Sequence, residues 1–566
     1  MQYPDPNDED FNNFINEEYS EYKISRRRKS LEQICFPKKY QFQIPQKFLA
    51  EYINPQTPYR GILVYHRIGA GKTCTAIKIS EKFIGLRKIY VVLPAALKGN
   101  FRSELRSLCT GNTFMTKDER MELSQLHPAS DEYKNIIKKT DERIDKHYVI
   151  LSYNKFIDSL SKKEISIKNS LLIIDEIHNM VSESGLYYRV LYDALNGDVG
   201  DLRTVIMSAT PIYDKPVELA LTMNLLIDNK LPTGNEFINT FIEEIDGPNG
   251  SIDHRAINLD IISDRIKGYV SYFRGAPPHV FPKTTLHIVK CKMSDKQLKL
   301  YNKIIANEGN INIDLNDPIP NNFFIGSRMV SNFVFPNNKI NEAGFASLKD
   351  SDCRGDKLKE LSPKYYKALR KIIKTVGTVF IYSNFKEFGG IRTFARMLEA
   401  NGFTNYEYHG QGRRRFAIWS GDQDNAVKDE IKAIYNNKNN ENGSKIKIIL
   451  GTPSAKEGVS FLRLQTIVLL EPYWNFSKND QIIGRGSRFC SHKDVEEHRR
   501  VVQVYILLAT HPTIRESIDQ HIMEMAIKKR KLNNEFENIL KATAIDCELF
   551  ANANNYEGEE KISCVI

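Results

Sequence analysis

Nine short apolar runs constrain this chain more than anything else in it. The first series is Gly61-Ile-Leu-Val-Tyr65, Ile89-Tyr-Val-Val-Leu93, Tyr148-Val-Ile-Leu-Ser152, Leu171-Leu-Ile-Ile174 and Thr204-Val-Ile-Met207. The second is Thr378-Val-Phe-Ile-Tyr382, Ile446-Lys-Ile-Ile-Leu450, Thr466-Ile-Val-Leu-Leu470 and Val501-Val-Gln-Val-Tyr505. Each run is apolar on both faces, and each is followed by a polar, helix-permissive stretch. Strands of that kind belong to parallel sheets covered on both sides by crossover helices. Two α/β domains in tandem are therefore expected, which suits a length of 566 residues. The expected division is an arm over 1–30, a first domain over 31–230, a mainly helical insertion over 231–350, a second domain over 351–515 and a helical extension over 516–566.

The charge balance is mildly basic, with 80 Lys+Arg against 70 Asp+Glu and a net +10. Spread over this length, it suits a polyanionic partner without singling one out. The acidic start of the arm precedes Arg26-Arg-Arg-Lys29 and reads as solvated and partly disordered. The clusters Arg413-Arg-Arg415 and Lys528-Lys-Arg-Lys531 read either as backbone-affinity patches or as solvated charge. Eight cysteines show neither C-x-x-C pairs nor zinc-ligand spacing, so free thiols in a reducing compartment are expected. No apolar run reaches membrane-spanning length, the start is polar, and Cys564 stands one place off a prenylation site; a soluble intracellular protein is expected.

The chemistry concentrates at the ends of these runs. After the first run comes His66-Arg-Ile-Gly69-Ala-Gly71-Lys72-Thr73. Gly69 and Gly71 let backbone N–H groups turn toward phosphates at a helix N-terminus, Lys72 pairs with the β/γ-phosphates, and the Thr73 hydroxyl suits Mg²⁺. The strict pattern has Gly where this chain has His66. After the fourth run comes Asp175-Glu176-Ile-His178: Asp175 can hold Mg²⁺ partly through water, and Glu176 can polarise an attacking water. Ser208-Ala-Thr210 follows the fifth run, with hydroxyls that can report the acidic motif's state. Far downstream, Gln481-Ile-Ile-Gly484-Arg485-Gly-Ser-Arg488 places two arginines three apart, read as one face of a helical turn, able to reach a γ-phosphate. Such an ATP site, split between two domains, is expected to work as a motor.

Gly-x-Gly-Lys-Thr, Asp-Glu-x-His, Ser-Ala-Thr, Glu457-Gly458-Val-Ser460 and Gln-x-x-Gly-Arg-x-x-Arg, in that order, resemble the superfamily 2 helicases and translocases. Four longer stretches sharpen the match: Asn54 to His66, Tyr269 to Pro278, Glu471-Pro-Tyr-Trp-Asn475 and Gly484 to His492. They resemble the Swi/Snf-like ATPases of large cytoplasmic DNA viruses. That branch includes the poxvirus nucleoside triphosphate phosphohydrolase I and the small subunit of the poxvirus early transcription factor. The likeness runs from about Gln46 to about Cys547, and in this branch a His at the position of His66 is expected.

The resemblance implies two RecA-like domains, ATP with Mg²⁺, and Arg485 and Arg488 as arginine fingers. It implies that Gln46 reads adenine, that His66 and Gln481 belong to the nucleotide site, and that His178, Ser208, Thr210, Glu457 and Gly458 couple it to the track. Pro94, Lys98, Ser152, Ser383, Thr452 and Ser460 fall where such motors touch a nucleic-acid strand. The implied function is a nucleic-acid-dependent ATPase, a DNA translocase or helicase in viral transcription. It would have a viral RNA polymerase or transcription-factor partner, would work in the virion and the host cytoplasm's viral factory, and would need no membrane. An ATP-dependent RNA helicase, and the ATPase subunit of a heterodimeric early transcription factor, are the alternatives.

Overall fold

The computed structural model describes residues 3–25, 29–67, 69–127, 130–247, 252–309, 320, 322–453, 459–556 and 560–565. The chain divides into two compact units, Met1–Pro277 with Lys531–Ile566, and Pro278–Arg530.

The first unit is built on β1 (Gly61–His66), β2 (Ile89–Leu93), β3 (Tyr148–Ser152), β4 (Leu171–Asp175) and β5 (Arg203–Ser208), at the five expected runs. A hairpin, β6 (Ile242–Asp246) with β7 (Ile252–Ala256), stands apart, and β8 (Val270–Phe273) joins the main sheet. The sheet is wholly parallel in the order β3-β2-β4-β5-β1-β8. Alternate residues feed two separate cores. Leu63, Tyr65, Tyr90, Val92, Leu172, Ile174 and Ile206 face one, and Ile62, Val64, Ile89, Val91, Ile173, Val205 and Met207 face the other. Burying such a side chain contributes roughly 1.5–3 kcal/mol, so a polar residue at any of these positions would be costly on either face.

The second unit repeats the plan. Its strands are β9 (Lys283–Lys292), β10 (Thr378–Tyr382), β11 (Thr404–Asn405), β12 (Arg415–Trp419), β13 (Ile448–Gly451), β14 (Leu464–Leu469) and β15 (Val501–Thr510). They form a parallel sheet ordered β11-β12-β13-β10-β14-β15-β9. Val379, Ile381, Ile448, Leu450 and Val468 enter one core, and Phe380, Tyr382, Ile449, Ile467 and Leu469 the other.

Several local expectations change. The arm read as solvated is a helix over Phe11–Glu18 whose Phe11 and Ile15, with Tyr19 after it, sit in the first unit's core; the spacing of four places all three on one helical face. Arg26, Arg27 and Arg28 lie outside the described residues. The stretch 231–350 holds helices and also the hairpin, β8 and β9, so it contributes a strand to each sheet. Residues from Lys531 onward belong to the first unit.

β8 is an edge strand, and the segment after the helix Ile518–Ala542 lies along its open side. Ile545 N–H donates to Val270 O (2.8 Å). Asp546 Oδ1 accepts from Tyr272 N–H (2.9 Å), and Asn554 Oδ1 accepts from Arg274 N–H (2.9 Å). Polar side chains here occupy the edge that another chain could otherwise extend.

The expectation of free thiols is corrected at two pairs. Cys74 and Cys109, 35 residues apart, and Cys547 and Cys564, 17 apart, form disulfides, because the fold brings their Cα atoms to 6.0 and 5.7 Å. Cys291 and Cys353 are buried and free. Among the described residues no helix is long and apolar enough to cross a membrane.

Candidate functional site

In the first unit, β1 and β4 flank β5, so the residues after the three strands share one edge of the sheet. The loop after β1 turns on Gly69 and Gly71, both at positive φ (87° and 77°), a conformation that favours glycine. Gly71 caps the helix Lys72–Glu81, which brings Lys72 and Thr73 into its first turn. A Cβ on Gly71 would stand 2.7 Å from the Gln46 amide nitrogen, so any larger residue would displace that side chain.

Gln46, expected to read adenine, is buried against this loop: its Oε1 accepts from Gln43 N–H (2.9 Å) and its Nε2 donates to Gly71 O (3.3 Å). His66, expected beside the nucleotide, is fully buried behind the loop, with Nε2 3.0 Å from Ser271 Oγ. Desolvation, with the charge of Lys72 adding to it, pushes the His66 imidazole down to about 3, so it is neutral.

At the end of β4, Asp175 is nearly buried and Glu176 adopts φ 52°, a left-handed backbone that a residue of this size rarely takes. Such backbone outliers gather at functional sites. The turn is clasped by the Tyr153 hydroxyl, which donates to Asp175 O (2.5 Å) and Glu176 O (3.0 Å). The result aims the Glu176 carboxylate between two bases: Lys72 Nζ at 3.9 Å and His178 Nδ1 at 3.5 Å. The His178 ring is stacked on Tyr213 (centroids 4.8 Å apart, 9° between planes). Tyr213 and Asp214 N–H both donate to Glu218, a carboxyl that burial pushes up to about 7. Ser208 is buried with its Oγ accepting from Thr210 N–H (3.1 Å). Tyr213 and Glu218 were not among the expected residues, since each is set by a tertiary contact that no local spacing announces.

The second unit holds the arginines differently from the expected helical face. The helix Phe476–Ile483 stops before them, and Arg485 and Arg488 lie in the turns that follow. The chain passes so near β14 there that a Cβ on Gly486 would stand 2.4 Å from Leu464 Cδ2. Arg485 is buried, donating to Gln481 O and Val459 O (both 3.1 Å). Arg488 donates to Ser460 Oγ, and burial lowers its pKa. Gln481 is buried on that helix. Glu457 and Gly458 lie outside the described residues.

The expected nucleic-acid residues follow strand ends in both units: Pro94 after β2, Ser152 closing β3, Ser383 after β10 and Thr452 after β13. Lys98 and Ser460 are half-buried. Ser383 is not presented outward. It is fully buried and donates to Glu471, a buried carboxylate that also accepts from Asn384 N–H and Asn332 Nδ2. Of the basic clusters, Arg530 pairs with Asp480 (3.0 Å) and Lys531 with Asp253 (2.7 Å).

The first unit thus sets a glycine turn at a helix N-terminus beside a lysine and a glutamate in a left-handed backbone, and the comparisons identify a helicase-like ATPase. The chain belongs to the SNF2-related family: the SNF2-related domain matches residues 25–342, and the helicase conserved C-terminal domain matches 364–490. It is 58% identical to a putative ATP-dependent RNA helicase of Acanthamoeba polyphaga mimivirus, over 100% of this chain and 99% of that protein. A termination factor NPH-I homolog of African swine fever virus is 24% identical over 86% of this chain and 76% of its own length. Among solved structures, the Sulfolobus solfataricus SWI2/SNF2 ATPase core in complex with dsDNA matches at 14% identity and TM-score 0.29, covering 88% of this chain and 93% of that one. Enzymes of this family bind nucleic acid and use ATP, typically with Mg²⁺.

Proposed function

We propose that this chain hydrolyses ATP to move along DNA in viral transcription. The observation that carries the ATPase part is Glu176, held in a left-handed backbone with its carboxylate between Lys72 and His178. In this reading Lys72 and the N–H groups of the Gly69–Gly71 loop bind the β/γ-phosphates, and Gln46 braces that loop. Thr73 and Asp175 would hold Mg²⁺, which neutralises charge on the phosphate oxygens when bound. Glu176 takes the proton of the attacking water. Arg485 and Arg488 stabilise charge developing on the γ-phosphoryl, and His178 and Ser208–Thr210 pass the site's state onward. Glu457 and Gly458 have the same coupling role, and Pro94, Lys98, Ser152, Thr452 and Ser460 hold the strand. Ser383 acts through Glu471 in seating Asn384.

DNA as the track is supported by the SNF2-related match, and a role in transcription by the termination-factor relative. That relative also supports an RNA polymerase or transcription-factor partner and the viral factory as the place of action. A second reading, an RNA helicase, is favoured by the name of the 58%-identical relative. Steady-state ATP hydrolysis with no nucleic acid, single-stranded DNA, double-stranded DNA or RNA separates them. Stimulation by DNA and not RNA is expected. Stimulation by RNA alone would replace this reading with the second, and ATP binding without turnover would point to a subunit that needs its partner.

A further inference from the structure

The buried groups behind the phosphate loop form a chain that the ATPase reading leaves unused. His66 Nε2 lies 3.0 Å from Ser271 Oγ, and Ser271 Oγ lies 2.5 Å from Asp546 Oδ2; all three side chains are fully buried. The other oxygen of Asp546 accepts the Tyr272 N–H. His66 Nδ1 has no partner among the described residues. His66 ends β1 directly before the phosphate loop, and its ring is near enough to Lys72 to feel the ammonium. β8 presses on the loop too: Arg67 N–H donates to Phe273 O (3.1 Å), and a Cβ on Gly275 would stand 3.4 Å from the Ala70 Cβ. Asp546 lies beyond both family-matched stretches.

A serine hydroxyl has one proton to give. With Asp546 ionised, Ser271 donates to the carboxylate and must accept from His66 Nε2–H, leaving Nδ1 a bare acceptor beside the Lys72 charge. With Asp546 protonated, the carboxyl donates to Ser271, Ser271 donates to Nε2, and the ring proton moves to Nδ1, where it opposes that charge. We propose, building on the ATPase reading, that Asp546 is a positioning residue for ATP binding: through Ser271 it decides whether His66 offers the phosphate loop an acceptor or a donor. Burial pushes the Asp546 carboxyl up to about 7, which brings both states within reach near neutrality. The titratable groups facing it are Tyr52, from the helix Ile44–Tyr52, and His66 through Ser271; β8 contributes a hydroxyl and a backbone amide.

The test uses the full chain labelled with ¹⁵N-histidine, reading the His66 tautomer from its ring nitrogen shifts and the KM for ATP–Mg²⁺ between pH 6 and 8.5. In the unsubstituted chain His66 should pass from Nδ1–H to Nε2–H as pH rises through about 7, with KM falling several-fold. Asp546→Asn, whose amide oxygen keeps the Tyr272 N–H and so turns its nitrogen toward Ser271 as a donor, should hold Nδ1–H throughout and raise KM about tenfold at pH 8.5. Ser271→Ala cuts the chain and should abolish the pH dependence of the tautomer, which keeps the test open if the first variant does not fold. A tautomer that ignores pH in the unsubstituted chain, or that is unchanged by both substitutions, overturns the proposal. So does an unchanged KM in a variant whose tautomer has moved. Absence of ATP turnover in the unsubstituted chain would count against the ATPase reading instead, and the tautomer would still report on the relay.

Discussion

The Lys72 ammonium stands 3.9 Å from a carboxylate oxygen of Glu176, although Lys72 opens the helix that follows β1 and Glu176 comes directly after β4. In the proposed reading this contact joins the phosphate-binding charge to the proton acceptor. On that reading the lysine exchanges a carboxylate for phosphate oxygens when nucleotide binds, freeing Glu176 for water.

Replacing that acceptor should separate binding from turnover. Glu176→Gln keeps the shape and removes the base, so ATP turnover should fall by about 10²–10⁴-fold with nucleotide affinity within a few-fold. Turnover near the unsubstituted rate would remove Glu176 from the role of base.

The two arginines should differ. Arg488→Ala should lower kcat by about 10³-fold, at the low end of what an arginine finger supplies, with little change in ATP affinity. Arg485 ties two backbone carbonyls. Arg485→Ala strands buried carbonyls at about 1–3 kcal/mol and should lower the unfolding midpoint of the second unit as well. Thermal melts beside the kinetics resolve the pair.

A pH dependence of stability follows from Glu218 and Asp546. Both carboxyls are raised to about 7 by burial, from ordinary values of 4.5 and 3.8. Between about 4 and 7 the folded chain therefore holds protons that the unfolded chain has released, so stability falls as pH rises across that window. Glu218→Gln, which removes one such cost of on the order of 3 kcal/mol, should flatten the fall in a denaturant titration repeated from pH 5 to pH 8. A slope unchanged by the substitution would exclude Glu218 as its source.

Reduction should loosen the first unit. The Cys74–Cys109 bond closes a loop across 35 residues, worth about 3–4 kcal/mol by chain entropy. In melts, a thiol reductant should lower the midpoint of the chain, and Cys109→Ser without reductant should reproduce the part of that drop that belongs to this bond, the remainder belonging to other bonds, Cys547–Cys564 among them. A midpoint indifferent to reductant would show that the bond does not stabilise the fold.

Local chemistry was readable in the chain and tertiary chemistry was not. The turn at Gly69 and Gly71 and the helix start at Lys72 were legible because consecutive residues make them, and the placing of Asp175 and Glu176 because an apolar strand ends there. The left-handed backbone of Glu176 was not legible, because the Tyr153 hydroxyl that clasps it comes from another strand's end. The expected helical face for Arg485 and Arg488 ignored Gly484 and Gly486, which mark the helix end and the close pass by Leu464. β8 escaped because four residues give too short an apolar signal, and its neighbour Asp546 lies 275 residues further on. The spacing of Phe11, Ile15 and Tyr19 was a helical signal outweighed by the acidic residues around it.

The route of the chain through β8 has a consequence for synthesis. A ribosome delivers the phosphate loop early, then the whole second unit, and only afterwards the segment around Asp546 that lines the first unit's open edge. A nascent chain therefore carries its nucleotide loop beside an uncovered strand for the time needed to translate more than two hundred residues. In that interval the exposed edge is a place for mispairing or a chaperone, and a messenger truncated before Asp546 would yield a protein with every signature motif but with that edge still open.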